Sequence, residues 1–281
     1  EKYLNKKGRM LIGWDEILEG GLAPNAVVMS WRGEKGGIEA AKQKHKVIMS
    51  PGNPVYFDHT QSENEDSVTI GGFNPIEKVY AWDPIPRELN EEEAKYILGA
   101  QANVWTEYMK NTQKVEYMIL PRMAALSEVL WSTKESRDWK DFEPRLMTQF
   151  KRYEQWKVNY SKAYFDLRST VMPLPDNNGI VWKLESRKTG ISIQYKKVLD
   201  SSDYLNPPAF YSYNMPVQIV KTGTYQAWAV ENGYRPGNAI TQKFILSKST
   251  GKKVSLSGEA SKNYPGDGPF TLVNGIQNEK G

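Results

Sequence analysis

Short apolar runs alternate with longer helical patterns through residues 1–160, and this alternation constrains the fold more than any other feature of the chain. The runs are continuous in apolar or small residues, which is typical of strands buried on both faces of a parallel sheet. Four strands are predicted, at 10–14, 26–31, 45–50 (continuing to 58 after a Pro-Gly-Asn-Pro turn) and 97–105. Helical spacing of apolar residues predicts helices at 35–44, 91–96, 113–131 and 142–156.

Strands that alternate with helices indicate βα units around a parallel sheet. Four such units are half of a (β/α)8 TIM barrel, for which about 250 residues are typical. A doubly wound sheet fits the same alternation, but the chain has no Gly-rich phosphate-binding loop that would favour it. We therefore predict an α/β fold, half of a barrel, for residues 1–165.

The pattern changes around residues 161–175. Short alternating runs follow, separated by turns rich in Pro, Gly and Asn, such as those at 206–208 and 235–238; the runs lie at 180–184, 191–195, 209–213, 217–220, 223–230 and 241–246. Short strands at this spacing indicate an all-β sandwich. We predict a small sandwich domain at 166–247. Residues 248–281, rich in Gly, Ser and Lys, are either a tail or the start of a truncated β module.

Composition narrows the classes of function. With 39% hydrophobic and 25% charged residues, the chain has the composition of a globular protein rather than a disordered one. Its net charge of +4 comes from scattered residues, so no nucleic-acid partner is expected. No apolar run approaches the ~20 residues of a membrane span. The chain has no cysteine, and neither His45 nor His59 has the sequence neighbours that a metal site or a catalytic triad requires, so no metal or cofactor is expected.

Aromatic and acidic residues follow each of the four predicted strands. The set is Trp14, Trp31, Tyr56, Asp58, Trp105 and Glu107. Any one of them alone fits a core tryptophan or a surface carboxylate at least as well as a site residue. However, the same arrangement is repeated on four strand ends, and barrel enzymes build their sites at the C-terminal ends of the strands. The sequence therefore predicts that these side chains share one mouth.

Six motifs occur in a consistent order along this region. They are GWDE at 13–16, SWRG at 30–33, VYFD at 55–58, VY at 79–80 before Pro84, ANVWTE at 102–107 and PRMAALSE at 121–128. Together they resemble the second half of the catalytic barrel in glycoside hydrolase family 20, the β-N-acetylhexosaminidases and chitobiases. The resemblance covers roughly residues 1–160 and implies that this region is the C-terminal half of that barrel.

The resemblance implies substrate-assisted hydrolysis of a terminal β-linked GlcNAc or GalNAc, with the 2-acetamido oxygen of the substrate as nucleophile. It implies that Trp14, Trp31 and Trp105 wall the acetamido pocket. Tyr56 would donate a hydrogen bond to the acetamido oxygen, and Asp58 and Glu107 would accept hydrogen bonds from sugar hydroxyls. The substrate would be a glycan or a chitooligosaccharide, and this substrate class suggests a periplasmic or secreted protein.

One departure from the family is important. The family's catalytic Asp-Glu pair lies on the strand before the first one here, and we find no equivalent. Asp15-Glu16 occupies a later motif, and adjacent strand residues would face opposite sides, so we reject it as the acid. The chain begins without a methionine and ends without an obvious finish. We therefore expect a fragment that is inactive alone and that self-associates through its open half-barrel.

Two other classes of protein fit the same residues. The chain could come from a glycosidase of another barrel family, or it could be a non-catalytic carbohydrate-binding protein. The region after residue 165 resembles the small C-terminal domain of bacterial members of the family. The segments 257–261 and 272–275 resemble the first strands of a discoidin-like carbohydrate-binding module.

Overall fold

The computed structural model describes residues 1–64, 68–198, 209–259, 266 and 268–277. The chain divides into two compact units, Glu1–Ser161 and Lys162–Gly281. The predicted turn at 206–208 and parts of the predicted tail lie outside the described residues. Among the described residues, no helix is long and apolar enough to cross a membrane.

The first unit contains a parallel four-stranded sheet in the order β1-β2-β3-β4. The strands are shorter than the sequence predicts; they are β1 (Ile12–Trp14), β2 (Val27–Ser30), β3 (Val47–Met49) and β4 (Ile97–Ala100). The predicted continuation of the third strand to Asp58 is wrong. Gly52–Val55 (α3) forms a helical turn instead, and beyond it only an isolated parallel bridge joins Tyr56 to Asn103 among the described residues.

Helices precede, separate and follow these strands. They are α1 (Lys2–Lys6), α2 (Lys35–Lys42), α4 (Ile76–Ala81), α5 (Glu91–Ala94), α6 (Thr112–Ile119), α7 (Arg122–Trp131) and α8 (Trp139–Trp156). The single helix predicted at 113–131 is in fact two helices, α6 and α7. Leu120 between them is extended, with φ −98° and ψ 138°, because a residue before proline is pushed out of the helical region. Helix α4 has no counterpart in the sequence prediction.

Alternation along the central strands divides their side chains between two faces. Val28, Val47 and Met49 are fully buried and pack against Ala40 and Ala41 of α2. The intervening residues of β2 and β3 therefore point to the opposite face of the sheet. Burial on both sides explains why these strands read as continuous apolar runs rather than as alternating ones.

The second unit has two antiparallel sheets with one common core. One sheet has the order β5-β6-β9, formed by β5 (Leu167–Pro173), β6 (Ile180–Ser186) and β9 (Val217–Ile219). The other has the order β12-β11-β10-β7-β8, formed by β7 (Ser192–Lys197), β8 (Tyr211–Ser212), β10 (Gly223–Val230), β11 (Ile240–Phe244) and β12 (Ile276–Gln277). Buried residues of both sheets form a single cluster around Trp182, whose indole donates to Ser169 at 2.7 Å.

Two segments of this unit differ from what the sequence predicts. Strand β5 lies where the sequence predicts a break, because its polar residues and its terminal Pro173 hide a seven-residue strand. Strand β12, within the predicted tail, pairs with Lys243 and Phe244 of β11. The described end of the chain therefore adds an edge strand to the larger sheet. Whether a truncated module begins after residue 247 stays a prediction.

Candidate functional site

A cleft of about 460 Å³ opens in the first unit, beyond the C-terminal ends of the four parallel strands. All six residues that the sequence singled out line this cleft. The complete lining is Trp14, Glu16, Trp31, Tyr56, Asp58, His59, Ile70, Trp105 and Glu107. Parallel strands end at the same edge of a sheet, which is why residues from four distant segments meet here.

Four aromatic rings form a continuous wall of the cleft. Trp14 lies edge-on to Trp31 with ring centroids 6.5 Å apart, and it lies 6.2 Å from Trp105. Tyr56 stacks on Trp31 at 6.5 Å with an interplanar angle of 17°. Separations of 4.5–7 Å are those of favourable aromatic contacts. Trp14 and Trp105 remain 38% and 45% exposed, so the wall is open to a ligand.

Two adjacent carboxylates hold the Trp31 segment in place. The buried Asp15 accepts hydrogen bonds from the backbone of Trp31 at 3.1 Å and of Arg32 at 3.2 Å, and it also binds the Arg32 guanidinium. Both oxygens of Glu16 accept from the Trp31 indole at 3.0 Å, and this bond lowers the pKa of Glu16. Asp15 and Glu16 lie in a 3-10 helix, Asp15–Leu18, rather than on a strand. Asp15 is therefore engaged in positioning, and Glu16 contributes to the cleft as an ionised side chain.

Tyr56 and Asp58 are the two buried polar residues of the cleft. Burial raises the pKa of the Tyr56 phenol, so its hydroxyl stays protonated at neutral pH and can donate. Asp58 is only 5% exposed, and burial raises the pKa of its carboxyl. Its Oδ1 atom is buried and has no hydrogen-bond partner among the described residues. An unpartnered buried acceptor is costly and rare in a native protein, so this oxygen can take a donor from a ligand or from water.

Arg122 anchors the loop that carries these residues. Its guanidinium is fully buried and donates to the backbone carbonyls of Phe57, His59, Asn74 and Met118. It also lies 4.7 Å from the centre of the Phe57 ring. Because the loop from Tyr56 to His59 is not part of a regular strand, its carbonyls need partners from elsewhere, and this arginine supplies them.

The remaining predicted residues follow β4 on a loop. Trp105 and Glu107 come five and seven residues after Ala100, the end of that strand, and both are exposed in the cleft. They reach the cleft on a loop, because the strand that the sequence predicts to run to residue 105 ends at Ala100. Within the described part of the chain, no group of three or more His, Asp or Glu side chains is arranged to hold a metal ion.

Residues 1–134 match the family model of the glycosyl hydrolase family 20 catalytic domain. They therefore belong to glycosyl hydrolase family 20. This family 20 region contains the whole cleft described above.

Two curated relatives of this chain are β-hexosaminidases. A β-hexosaminidase of Porphyromonas gingivalis is 39% identical over 241 residues, which are 83% of this chain and 30% of that protein. A β-hexosaminidase of Vibrio furnissii is 34% identical over 132 residues, which are 45% of this chain and 21% of that protein. The chain thus spans less than a third of the length of these two relatives.

Solved structures of family 20 enzymes resemble the family 20 region. The exo-β-N-acetylglucosaminidase of Vibrio harveyi, solved in complex with N-acetylglucosamine, matches with a TM-score of 0.54 at 32% identity, covering 58% of this chain and 26% of that one. The N-acetyl-β-hexosaminidase of Streptomyces plicatus matches with a TM-score of 0.51 at 25% identity, covering 56% of this chain and 33% of that one. The family 20 region is therefore part of a TIM-barrel catalytic domain.

Three lining residues were not predicted from sequence. They are Glu16, His59 and Ile70. The sequence excludes Glu16 as the catalytic acid but does not predict its place in the cleft, and His59 lacks the sequence neighbours of a metal site or a triad. Ile70 has no chemically distinctive side chain. Two were within reach, because Glu16 and His59 each lie within two residues of a predicted site residue. Ile70 lies in a described segment, residues 68–72, that has no helix or strand, and no local pattern predicts its position in the cleft.

Proposed function

We propose that the chain is part of a β-N-acetylhexosaminidase that removes terminal β-linked GlcNAc or GalNAc from glycans or chitooligosaccharides. Hydrolysis would proceed with retention, through attack of the substrate's own acetamido oxygen on the anomeric carbon. The observation that carries the proposal is the cleft, in which four aromatic rings, a neutral phenol and a buried unpartnered carboxylate oxygen converge within a family 20 catalytic region.

The aromatic wall fits an acetamido group. Trp14, Trp31 and Trp105 would enclose the methyl group and exclude water from it. A rigid, dry enclosure fixes the angle at which the acetamido oxygen meets the anomeric carbon, and such positioning lowers the entropic part of the barrier. Glu16 supports this role because it holds the Trp31 indole through both of its oxygens.

The polar residues would serve two different parts of the sugar. The Tyr56 hydroxyl would donate to the acetamido oxygen as charge develops there. Asp58 and Glu107 would accept hydrogen bonds from ring hydroxyls, O4 and O6 in our assignment. The Oδ1 atom of Asp58, an acceptor without a partner among the described residues, supports this role.

The general acid would come from outside these 281 residues. Asp15 already binds the Trp31 backbone and the Arg32 guanidinium, and Glu16 already accepts from the Trp31 indole. We therefore propose that the chain alone is inactive and that residues 1–165 supply the C-terminal half of the barrel. The two antiparallel sheets with their shared core support a β-sandwich domain at 166–247. The glycan substrate class supports a periplasmic or secreted location.

The test is release of nitrophenol from the aryl β-N-acetylglucosaminide, with the corresponding glucoside as control. This chain would be compared with a protein extended upstream through the preceding barrel strands. Activity in the longer protein alone, confined to the acetamido sugar, is the expected result. Equal activity in the short chain would return Asp15-Glu16 to consideration as the acid. If neither protein released nitrophenol, a carbohydrate-binding protein would be favoured.

A point variant distinguishes this reaction from that of another glycosidase family. Tyr56→Phe in the longer protein removes only the phenolic oxygen. We expect kcat to fall about 10²- to 10³-fold, which is typical for loss of one donor to a developing oxyanion. An unchanged kcat would assign the enzyme to a mechanism that does not use the acetamido group.

A further inference from the structure

His59 lies beside Asp58 in the cleft and has no role in the function proposed above. Its ring lies against Tyr56 with centroids 5.9 Å apart, and its backbone carbonyl accepts from Arg122 at 3.0 Å. On its other side the ring is in close contact with Gly72, where an added Cβ atom would lie 2.4 Å from Nδ1. The imidazole is therefore held in one orientation.

Asn74 fixes which nitrogen of this ring carries the proton. The Asn74 Nδ2 atom donates to the carbonyl oxygens of Gly52 at 2.9 Å and Tyr56 at 3.1 Å. Because a carbonyl oxygen can only accept, this Asn74 atom must be the amide nitrogen. The same nitrogen lies 3.1 Å from His59 Nδ1. An amide nitrogen accepts no hydrogen bond, so a hydrogen on Nδ1 would face the amide hydrogens with no acceptor there, and Nδ1 is therefore the unprotonated nitrogen. A neutral imidazole whose Nδ1 accepts carries its hydrogen on Nε2.

The second nitrogen of the imidazole, Nε2, is not engaged within the described part of the molecule. His59 lines the cleft, and its Nε2 atom has no hydrogen-bond partner among the described residues. Asp58 lines the same cleft, and its buried Oδ1 atom likewise has no partner among the described residues. A free N–H donor and a free carboxylate acceptor thus belong to neighbouring residues of one loop. A sugar hydroxyl both donates and accepts one hydrogen bond, so it complements such a pair.

We propose that His59 is a specificity-determining residue whose Nε2–H donates to the substrate hydroxyl from which Asp58 accepts. This inference rests on the proposed function, because it assigns a partner to the same sugar. When a donor and an acceptor bind the same hydroxyl, the site selects for the orientation of that hydroxyl on the sugar ring as well as for its presence. Sites that hydrogen-bond a hydroxyl discriminate strongly against analogues that lack it, since their polar groups are left unpaired.

A matched pair of variants separates recognition from structure. The side-chain amide of His59→Asn reaches the position of Nδ1, so it keeps the contact with Asn74 and loses the donor in the cleft. The amide of His59→Gln reaches the position of Nε2, so it keeps the donor and loses the inner contact. If His59 binds substrate, His59→Asn loses more kcat/KM than His59→Gln. If its role is only structural, the order reverses, and the thermal midpoints show the same reversed order.

The closing experiment measures kcat/KM in the longer protein for the aryl β-N-acetylglucosaminide and for its 4-deoxy and 6-deoxy analogues. We expect His59→Asn to lose about 2- to 10-fold on the parent glycoside, the range of one net hydrogen bond. The loss should vanish on one deoxy analogue, the same one on which Asp58→Asn loses its effect. Equal losses on all three glycosides, or sensitivity of the two variants to different hydroxyls, would overturn the inference. An inactive wild type would instead refute the proposed function.

Discussion

At the scale of single residues, the cleft combines side chains that stabilise the loop with side chains that the fold leaves unsatisfied. Arg122 donates to several backbone carbonyls, among them those of His59 and Asn74. Asp58, by contrast, is buried with an oxygen that has no partner among the described residues. Such a group costs folding free energy, and it is retained where binding recovers that cost.

The raised pKa of Asp58 gives a prediction with a definite sign. Because the folded-state pKa is higher than the unfolded one, the ionised carboxylate destabilises the fold at pH values above it. Asp58→Asn should therefore raise the thermal midpoint at pH 7, and its advantage should shrink as the pH falls towards about 4, near the ordinary pKa of aspartate. The same variant should bind the sugar more weakly.

The matched control is Glu107→Gln, which removes an exposed carboxylate from the same cleft. Its thermal midpoint should stay close to that of the wild type at both pH values. If Asp58→Asn were no more stable than Glu107→Gln at pH 7, burial would not raise the pKa of Asp58 in the folded protein.

At the scale of elements, an irregular loop from Tyr56 to His59 takes the place of the strand that the sequence predicts up to Asp58. A strand would satisfy its own backbone by pairing, whereas this loop depends on Arg122 at the start of α7. The predicted single helix at 113–131 is interrupted at Leu120, so the arginine that follows begins a new helix there. The helix break and the placement of Tyr56 and Asp58 are therefore linked.

Replacement of Arg122 by Met should unfold this arrangement. It would remove the arginine's hydrogen bonds to the carbonyls of Phe57, His59 and Asn74, and we expect a loss of about 3–5 kcal/mol in the free energy of unfolding, measured by urea titration. Arg122→Lys should recover only part of this loss, because an ammonium group has three donors and no planar fork.

The exposed Arg152 on α8 provides the control for this measurement. Arg152→Met should change the free energy of unfolding by no more than about 0.5 kcal/mol. A small effect of Arg122→Met would mean that the loop holds its shape without the arginine.

At the scale of the whole molecule, the parallel sheet of the first unit is open. Among the described residues, β1 and β4 each pair with one neighbour only. Ile12 on β1 is 52% exposed and Leu98 on β4 is 56% exposed. Unpaired edges with exposed apolar residues promote association with other chains, which is the basis for the proposed self-association.

Sedimentation velocity over a range of concentrations would measure that association. We expect the average mass to rise with concentration, and Leu98→Lys to reduce the rise because it places a charge on the open edge. Met215→Lys, at an apolar residue that is 72% exposed in the second unit, should leave association unchanged. A monomer at every concentration would contradict the proposal.

Local sequence patterns predict the βα alternation, the antiparallel strands that follow it, and six of the nine residues that line the cleft. These were predictable because strand and helix periods are local and because parallel strands end at a common edge. Tertiary structure alone decided that Glu16 holds Trp31, that Ile70 reaches the cleft and that Asn74 orients His59. Each of these depends on contacts between segments that are distant in sequence or on an irregular loop. No local period encodes such contacts.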